Sequence, residues 1–252
     1  MVIFLYDGSF EGLLTAIYEA YYRQPRPEQI MTQREYQPDL FSQPIIIESD
    51  PEKAGKVYRA IEQKISREAL EHIYYVFLSE LPGAGTLIFH YLQLGWRLGG
   101  DINGHLAVEP VRQVLKISQR VGLERHRMLG LLRFQKINGQ GEGALYYAAF
   151  EPDYNILELI APHFSRRLAD QNWIIHDVKR KLAAFYNQKE WVIGELPAVG
   201  QLNWAENEAF YQELWQRYFE RIAVEGRTNR KLQRQYMPVR YWRHLIEKPG
   251  KH

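Results

Sequence analysis

From about Val57 to Arg120 apolar residues recur at helical spacing almost without a break, whereas from Met128 onward they come in short strand-like runs separated by turns. Helices and strands kept in separate stretches read as the α+β class. The expected architecture is a mainly antiparallel sheet with a large helical portion and a basic helical C-terminal segment. That divides into an α+β core over 1–196, carrying a helical insertion at about 51–127, and a C-terminal segment over 197–252 packed on the core.

Local signals place the elements. "VIFLYDGSFEGLLTAIYEAYY" reads as a buried strand, a tight turn and a helix capped by Ser9, with Phe10, Leu13, Leu14, Ile17, Tyr18 and Tyr21 on one face. "QPIIIESDPEKAGKVYRAI" repeats the pattern, with a strand at Ile45 to Glu48, Asp50 as cap and Pro51 at the first helical position. Ser66 opens a further helix, "PGAGT" separates it from "LIFHYLQLGWRLGG", and a helix starting near Pro110 should stop at Gly122. "MLGLLRFQKI" and "ALYYAAFEP", joined by "NGQGEG", predict an antiparallel hairpin. A helix bent or split at Pro162 follows, and then two or three short strands through Leu196. The N-terminal strands are expected to join this sheet or form its edge. Asn203 and Glu206 suggest a capping box for a helix through Phe210, Leu214, Tyr218 and Ile222, ended by Gly226, and a last helix is expected after Pro238.

At 252 residues the chain is long enough to bury a real core. It has no cysteine, which excludes a disulfide framework, a thiolate zinc site, a cysteine nucleophile and an iron–sulfur cluster ligated by this chain alone. A cytoplasmic address is expected. "MVIFLYDG" is too short and lacks the basic flank of a signal peptide, and no run of about 18 apolar residues predicts a membrane span. The formal net charge is only +2, yet from Tyr211 onward lysines and arginines far outnumber glutamates. A basic end on a nearly neutral body suits a polyanionic partner.

That tail carries the strongest physical signal. Asn229, Arg230, Lys231 and Arg234 can donate to phosphate, while Arg240, Tyr241, Trp242 and Arg243 mix guanidinium groups with rings able to stack on exposed bases. The bland alternative docks Met237, Val239, Trp242 and Leu245 on the core and leaves the charges merely solvated. Arg166, Arg167, Lys179 and Arg180 would extend a nucleic-acid surface. Near them His176 beside Asp177 invites a general-base reading, although neighbours in a strand point to opposite faces and should not pair. Asp153 in "PD" and Asp177 in "DVK" match a nuclease pattern in which two carboxylates hold Mg²⁺, but a helix intervenes between them and such short patterns arise by chance. Asp7, at a strand's end before a helix, could bind metal or act as a base; most such turns are only capped turns. Neither zinc spacing nor a dinucleotide fingerprint is present, so no cofactor is expected.

Together, "YDGSFEGLLTAIYEAY", "RMLGLLRF", "HFSRR", "WIIHD" and "NRKLQRQYMPVRYWRHLIE" resemble, in order and over nearly the whole chain, an uncharacterised bacterial family of DNA-metabolism proteins. The resemblance implies association with a radical-SAM protein of DNA repair or modification, and in some members fusion to a uracil-DNA-glycosylase-like domain that is not seen here. It supplies no catalytic residues. The expected function is a DNA-binding accessory protein working with such a partner. A metal-dependent nuclease or glycosylase-type enzyme using Asp7, Asp153, His176 or Asp177, and a protein–protein adaptor, stand as alternatives.

Overall fold

A computed structural model of the chain describes residues 1–137, 144–197 and 237–245. Its class is mixed α+β, and its packing divides it into two compact units, Met1–Gly122 and Leu123–His252. The expected core of 1–196 therefore spans both.

The first unit is built on a three-stranded parallel sheet with order β2-β1-β3, where β1 is Val2–Tyr6, β2 Gln29–Thr32 and β3 Gln43–Ile46. This corrects the expectation that the N-terminal strands join the larger sheet: they form a sheet of their own, and β2, unforeseen, is one of its edges. β1 is central and its side chains from Ile3 to Tyr6 are buried, as a parallel strand covered on both faces requires. The helices are α1 (Phe10–Tyr22), α2 (Pro51–Lys64), α3 (Arg67–Leu78) and α4 (Ala84–Leu98). Three of them start at the expected caps: Ser9 accepts from the Gly12 amide, Asp50 from Glu52 and Lys53, and Ser66 from Ala69. Apolar faces from these helices close over Phe4 and Ile30 through Leu13, Ile17, Ile73 and Ile88.

α4 also closes the sheet's edge. The Thr86 hydroxyl accepts from the Ile30 amide and donates to the Ile30 carbonyl, both at 3.0 Å, so it occupies the place of a further strand. Gly85 allows this approach, since a Cβ there would lie 2.6 Å from the Ile30 carbonyl oxygen. Alanine is the better helix former by about 1 kcal/mol, but here its methyl would meet backbone that cannot turn aside. Gly85→Ala should therefore destabilise the chain by about 1–2 kcal/mol net. Urea unfolding checks this, and a gain in stability would mean α4 can slide off β2 at little cost.

α5 (Glu109–Leu131) runs through the division between the units. It corrects two expectations. Gly122 does not end the helix, because its role is spatial: a Cβ there would meet the Tyr75 ring at 3.5 Å. In consequence Met128–Leu131 is helical, and of "MLGLLRFQKI" only β4 (Gln135–Ile137) is strand.

In the second unit β4, β5 (Leu145–Phe150), β6 (Asn172–Asp177), β7 (Leu182–Asn187) and β8 (Trp191–Glu195) form a five-stranded sheet in sequence order. All pairs are antiparallel except β5 with β6, which are parallel and joined by α6 (Leu157–Arg167). Pro162 lies inside α6 without splitting it. One sheet face carries Ala148, Phe150, Trp173, Ile175, Ala184 and Tyr186; α6 packs on this sheet through β6, β7 and β8. Trp173 is fully buried and stacks on Tyr186 with ring centroids 5.0 Å apart. After Pro238 the chain forms a 3₁₀ turn, Val239–His244, where a helix was expected. The "NGQGEG" turn and the helix from the Asn203–Glu206 box to Gly226 lie outside the described residues.

Candidate nucleic-acid interface

The 3₁₀ turn is held by acids of the second unit. Glu124, 1% exposed, accepts from the backbone amides of Asp153 and Tyr154, each at 2.9 Å, and from the Tyr241 hydroxyl. Arg240 pairs with Asp153 at 2.8 Å and Arg243 with Glu151 at 2.6 Å. The Trp242 indole donates to the Met237 carbonyl. Tyr241 is buried, so its ring is not a stacking surface. Of the residues that the docking alternative names, Leu245 is buried, Met237 and Trp242 are half-buried and Val239 is exposed, and the two guanidinium groups face carboxylates.

His176 and Asp177 point to opposite faces, as strand geometry requires. The His176 Nδ1 and the Tyr147 hydroxyl are 2.7 Å apart, and its Nε2 is buried. Asp177, fully buried, pairs with Arg180 at 3.0 Å, and the same guanidinium donates to the carbonyls of Pro152 and Asp153. That use of Arg180 is structural: it ties the start of the β6–β7 turn to the loop after β5. Asp153 faces Arg240 and Asp177 faces Arg180, so the two carboxylates of the nuclease pattern are each engaged by an arginine. Among the described residues no three acid or histidine side chains are grouped to hold a metal. Lys179 is exposed in the turn. Asp7 belongs to the first unit; its carboxylate accepts from the Ser9 amide and hydroxyl and the Ser49 hydroxyl, and these bonds outweigh partial burial and hold its pKa below the usual value.

Positive charge gathers instead at the end of α6. Arg166 and Arg167 are exposed in its last turn, where cations complement the helix carbonyl ends. The His163 ring beside them has its pKa lowered by burial first, and then by the fields of Arg167, Arg166 and Arg125. An open cleft of about 530 Å³ adjoins this cluster, bounded by the end of α5, the link 132–134 that follows it, β5 and the end of α6. Arg133 and Arg167 line it together with Phe134, Tyr146, Phe164 and Gln171, and among the described residues no carboxylate does. Phe134 lies edge-on to Phe164 at 5.2 Å and to Trp173 at 6.3 Å, which fixes it from behind. Arg133 donates to the carbonyls of Gly130 and Leu132 and so finishes α5. Sequence reasoning missed Arg133, Phe134, Tyr146 and Glu124. The first two were hidden by reading "LLRF" as strand, and a lone Glu124 among basic neighbours gave no signal.

The histidines give a pH prediction. Burial leads in lowering His176 and His244 as well as His163; the Leu196 backbone and the Asp177 charge oppose it at His176, and Glu151 opposes it at His244. The folded state then binds fewer protons than the unfolded chain, whose histidines titrate at the ordinary 6.5. This stability is complete above that value and is lost as pH falls through it toward the depressed folded values. Urea midpoints should fall between about pH 7.5 and 5.5, and His176→Gln should flatten the fall. Equal midpoints at the two pH values would refute it.

Of the expected DNA-binding residues, Asn229, Arg230, Lys231 and Arg234 lie outside the described residues. The rest fall in the second unit: Arg240, Tyr241, Trp242 and Arg243 in the turn, Arg180 inside the acid network, and Arg166, Arg167 and Lys179 at the surface. Fold and site thus define an α+β protein of two compact units with a basic, aromatic cleft in the second. A family model described as a domain of unknown function, DUF4130, matches residues 82–247, more than half of the chain, and the chain belongs to that family. No curated protein and no solved structure matches it. Among the described residues no helix is long and apolar enough to cross a membrane.

Proposed function

We propose that the chain is a cytoplasmic DNA-binding accessory protein in DNA repair or modification, acting beside a radical-SAM or glycosylase-type partner. The observation that supports DNA binding is the exposed pair Arg166 and Arg167 at the end of α6, next to a cleft lined by Arg133 and Arg167 and, among the described residues, by no acid. Such a field favours a phosphate backbone. The partner rests on the family resemblance alone.

Binding of labelled single-stranded and duplex DNA across a salt series tests the reading. Joint replacement Arg166→Ala and Arg167→Ala should weaken binding and reduce the salt slope by roughly one for each phosphate that the protein no longer neutralises. A second variant, Arg230→Ala with Arg234→Ala and Arg240→Ala, asks the same of the tail. Absence of DNA binding at low salt would defeat the proposal and turn attention to a protein–protein adaptor.

A further inference from the structure

We propose that the outer edge of β3 is an interface between two copies of this chain, paired edge to edge about a two-fold axis at Ile46. Among the described residues β3 has β1 on one side and no strand on the other. Gln43 and Ile47 donate to the Met1 and Leu5 carbonyls, each at 2.8 Å, so these alternate residues turn their backbone groups to β1 while Pro44, Ile46 and Glu48 turn theirs outward. Exposed edges are commonly blunted by charge, but Ile46, in the middle of this row, is apolar and 63% exposed. The loop entering β3 adds Leu40, 96% exposed, and Phe41, 87% exposed. Defined bonds hold them in water: the Asp39 carboxylate accepts from the Phe41 and Ser42 amides, each at 2.7 Å, and the Tyr36 hydroxyl lies 3.0 Å from that of Ser42.

A second copy fits this edge because the edge complements itself. In an antiparallel pair centred on Ile46, the two Ile46 residues exchange N–H···O=C bonds, and each Glu48 amide donates to the other copy's Pro44 carbonyl. Pro44 has no N–H, and this register asks it only to accept. Each Glu48 then stands opposite Pro44 and not opposite a second carboxylate, so no like charges meet at the axis. The area also suffices. Leu40, Phe41 and Ile46 offer on the order of 350 Å² of apolar surface, about 700 Å² from two copies, and the joined edges bring this toward the roughly 1,000 Å² of a specific interface. A lipid surface would leave the outward backbone groups of the edge without partners.

Sedimentation equilibrium of the full chain over a micromolar concentration series should show a reversible dimer. Ile46→Lys sets like charges across the axis and should weaken it by more than about tenfold. Leu40→Ser with Phe41→Ser, a change confined to exposed side chains, should weaken it as well. Because the chain has no cysteine, Ile46→Cys probes the axis directly: the paired Cα atoms would lie about 5.5 Å apart, within disulfide reach, and mild oxidation should link two copies. Leu106→Cys, at another exposed position, should link far less. A monomer at every concentration would overturn the proposal and leave the edge to a different partner. So would a dimer that survives both sets of changes, or an Ile46→Cys variant that links no faster than Leu106→Cys. These outcomes are independent of whether the chain binds DNA.

Discussion

Glu124→Ala is expected to cost the second unit about 3–5 kcal/mol, a large share of what holds an ordinary domain together. The carboxylate is 1% exposed and serves three donors: the amides of Asp153 and Tyr154 and the hydroxyl of Tyr241. Alanine strands all three, and each buried donor left without an acceptor costs about 1–3 kcal/mol. The damage should also travel, because two of these donors position the loop after β5 and the third anchors the 3₁₀ turn. Hydrogen exchange would report it as faster exchange at β5 and in the turn at Val239–His244, alongside a lower urea midpoint. Tyr241→Phe removes one bond only and should cost about 1–2 kcal/mol. In a double-mutant cycle Glu124→Gln and Tyr241→Phe should be non-additive. A loss below about 1 kcal/mol for Glu124→Ala would show that solvent replaces the carboxylate.

Trp173→Ala should be of similar size, about 3–5 kcal/mol, since it empties the space between Tyr186, Phe134 and the sheet. Trp173→Phe should cost much less than its smaller volume suggests. The indole Nε1 is buried without a partner among the described residues, so phenylalanine removes an unsatisfied donor together with part of the ring. Thermal or urea unfolding of the two variants side by side separates the terms. Equal losses for alanine and phenylalanine would mean that the indole nitrogen finds a partner that phenylalanine cannot replace.

The contrast between these residues and the helix caps explains what the sequence could convey. Ser9, Asp50 and Ser66 were legible because a cap bonds to amides two or three residues away, all within one short stretch. Gly122 misled because glycine has two uses, a chain reversal and a close approach, and only the position of the Tyr75 ring decides between them. β2 escaped because "QIMT" has too few residues for a period; it is strand because β1 and Thr86 offer partners on its two sides. The separation of the two sheets is likewise a matter of distant pairing. At the site, the exposed arginines of α6 could be named from composition. The acids that occupy Arg240 and Arg243 could not, since Asp153 and Glu151 meet them only through folding.

The boundary of the family match does not coincide with a boundary of packing. The match begins at residue 82, between α3 and α4, inside the unit Met1–Gly122. α4 shares its buried residues Ile88, Phe89 and Leu92 with a core that includes Phe4 and Ile30, both before that boundary. A relative inheriting only the matched stretch would carry a helix whose apolar stripe lacks its sheet, and would need a different cover for it. The stretch that the family model matches and the stretch that packs together in this molecule are therefore different lengths of chain.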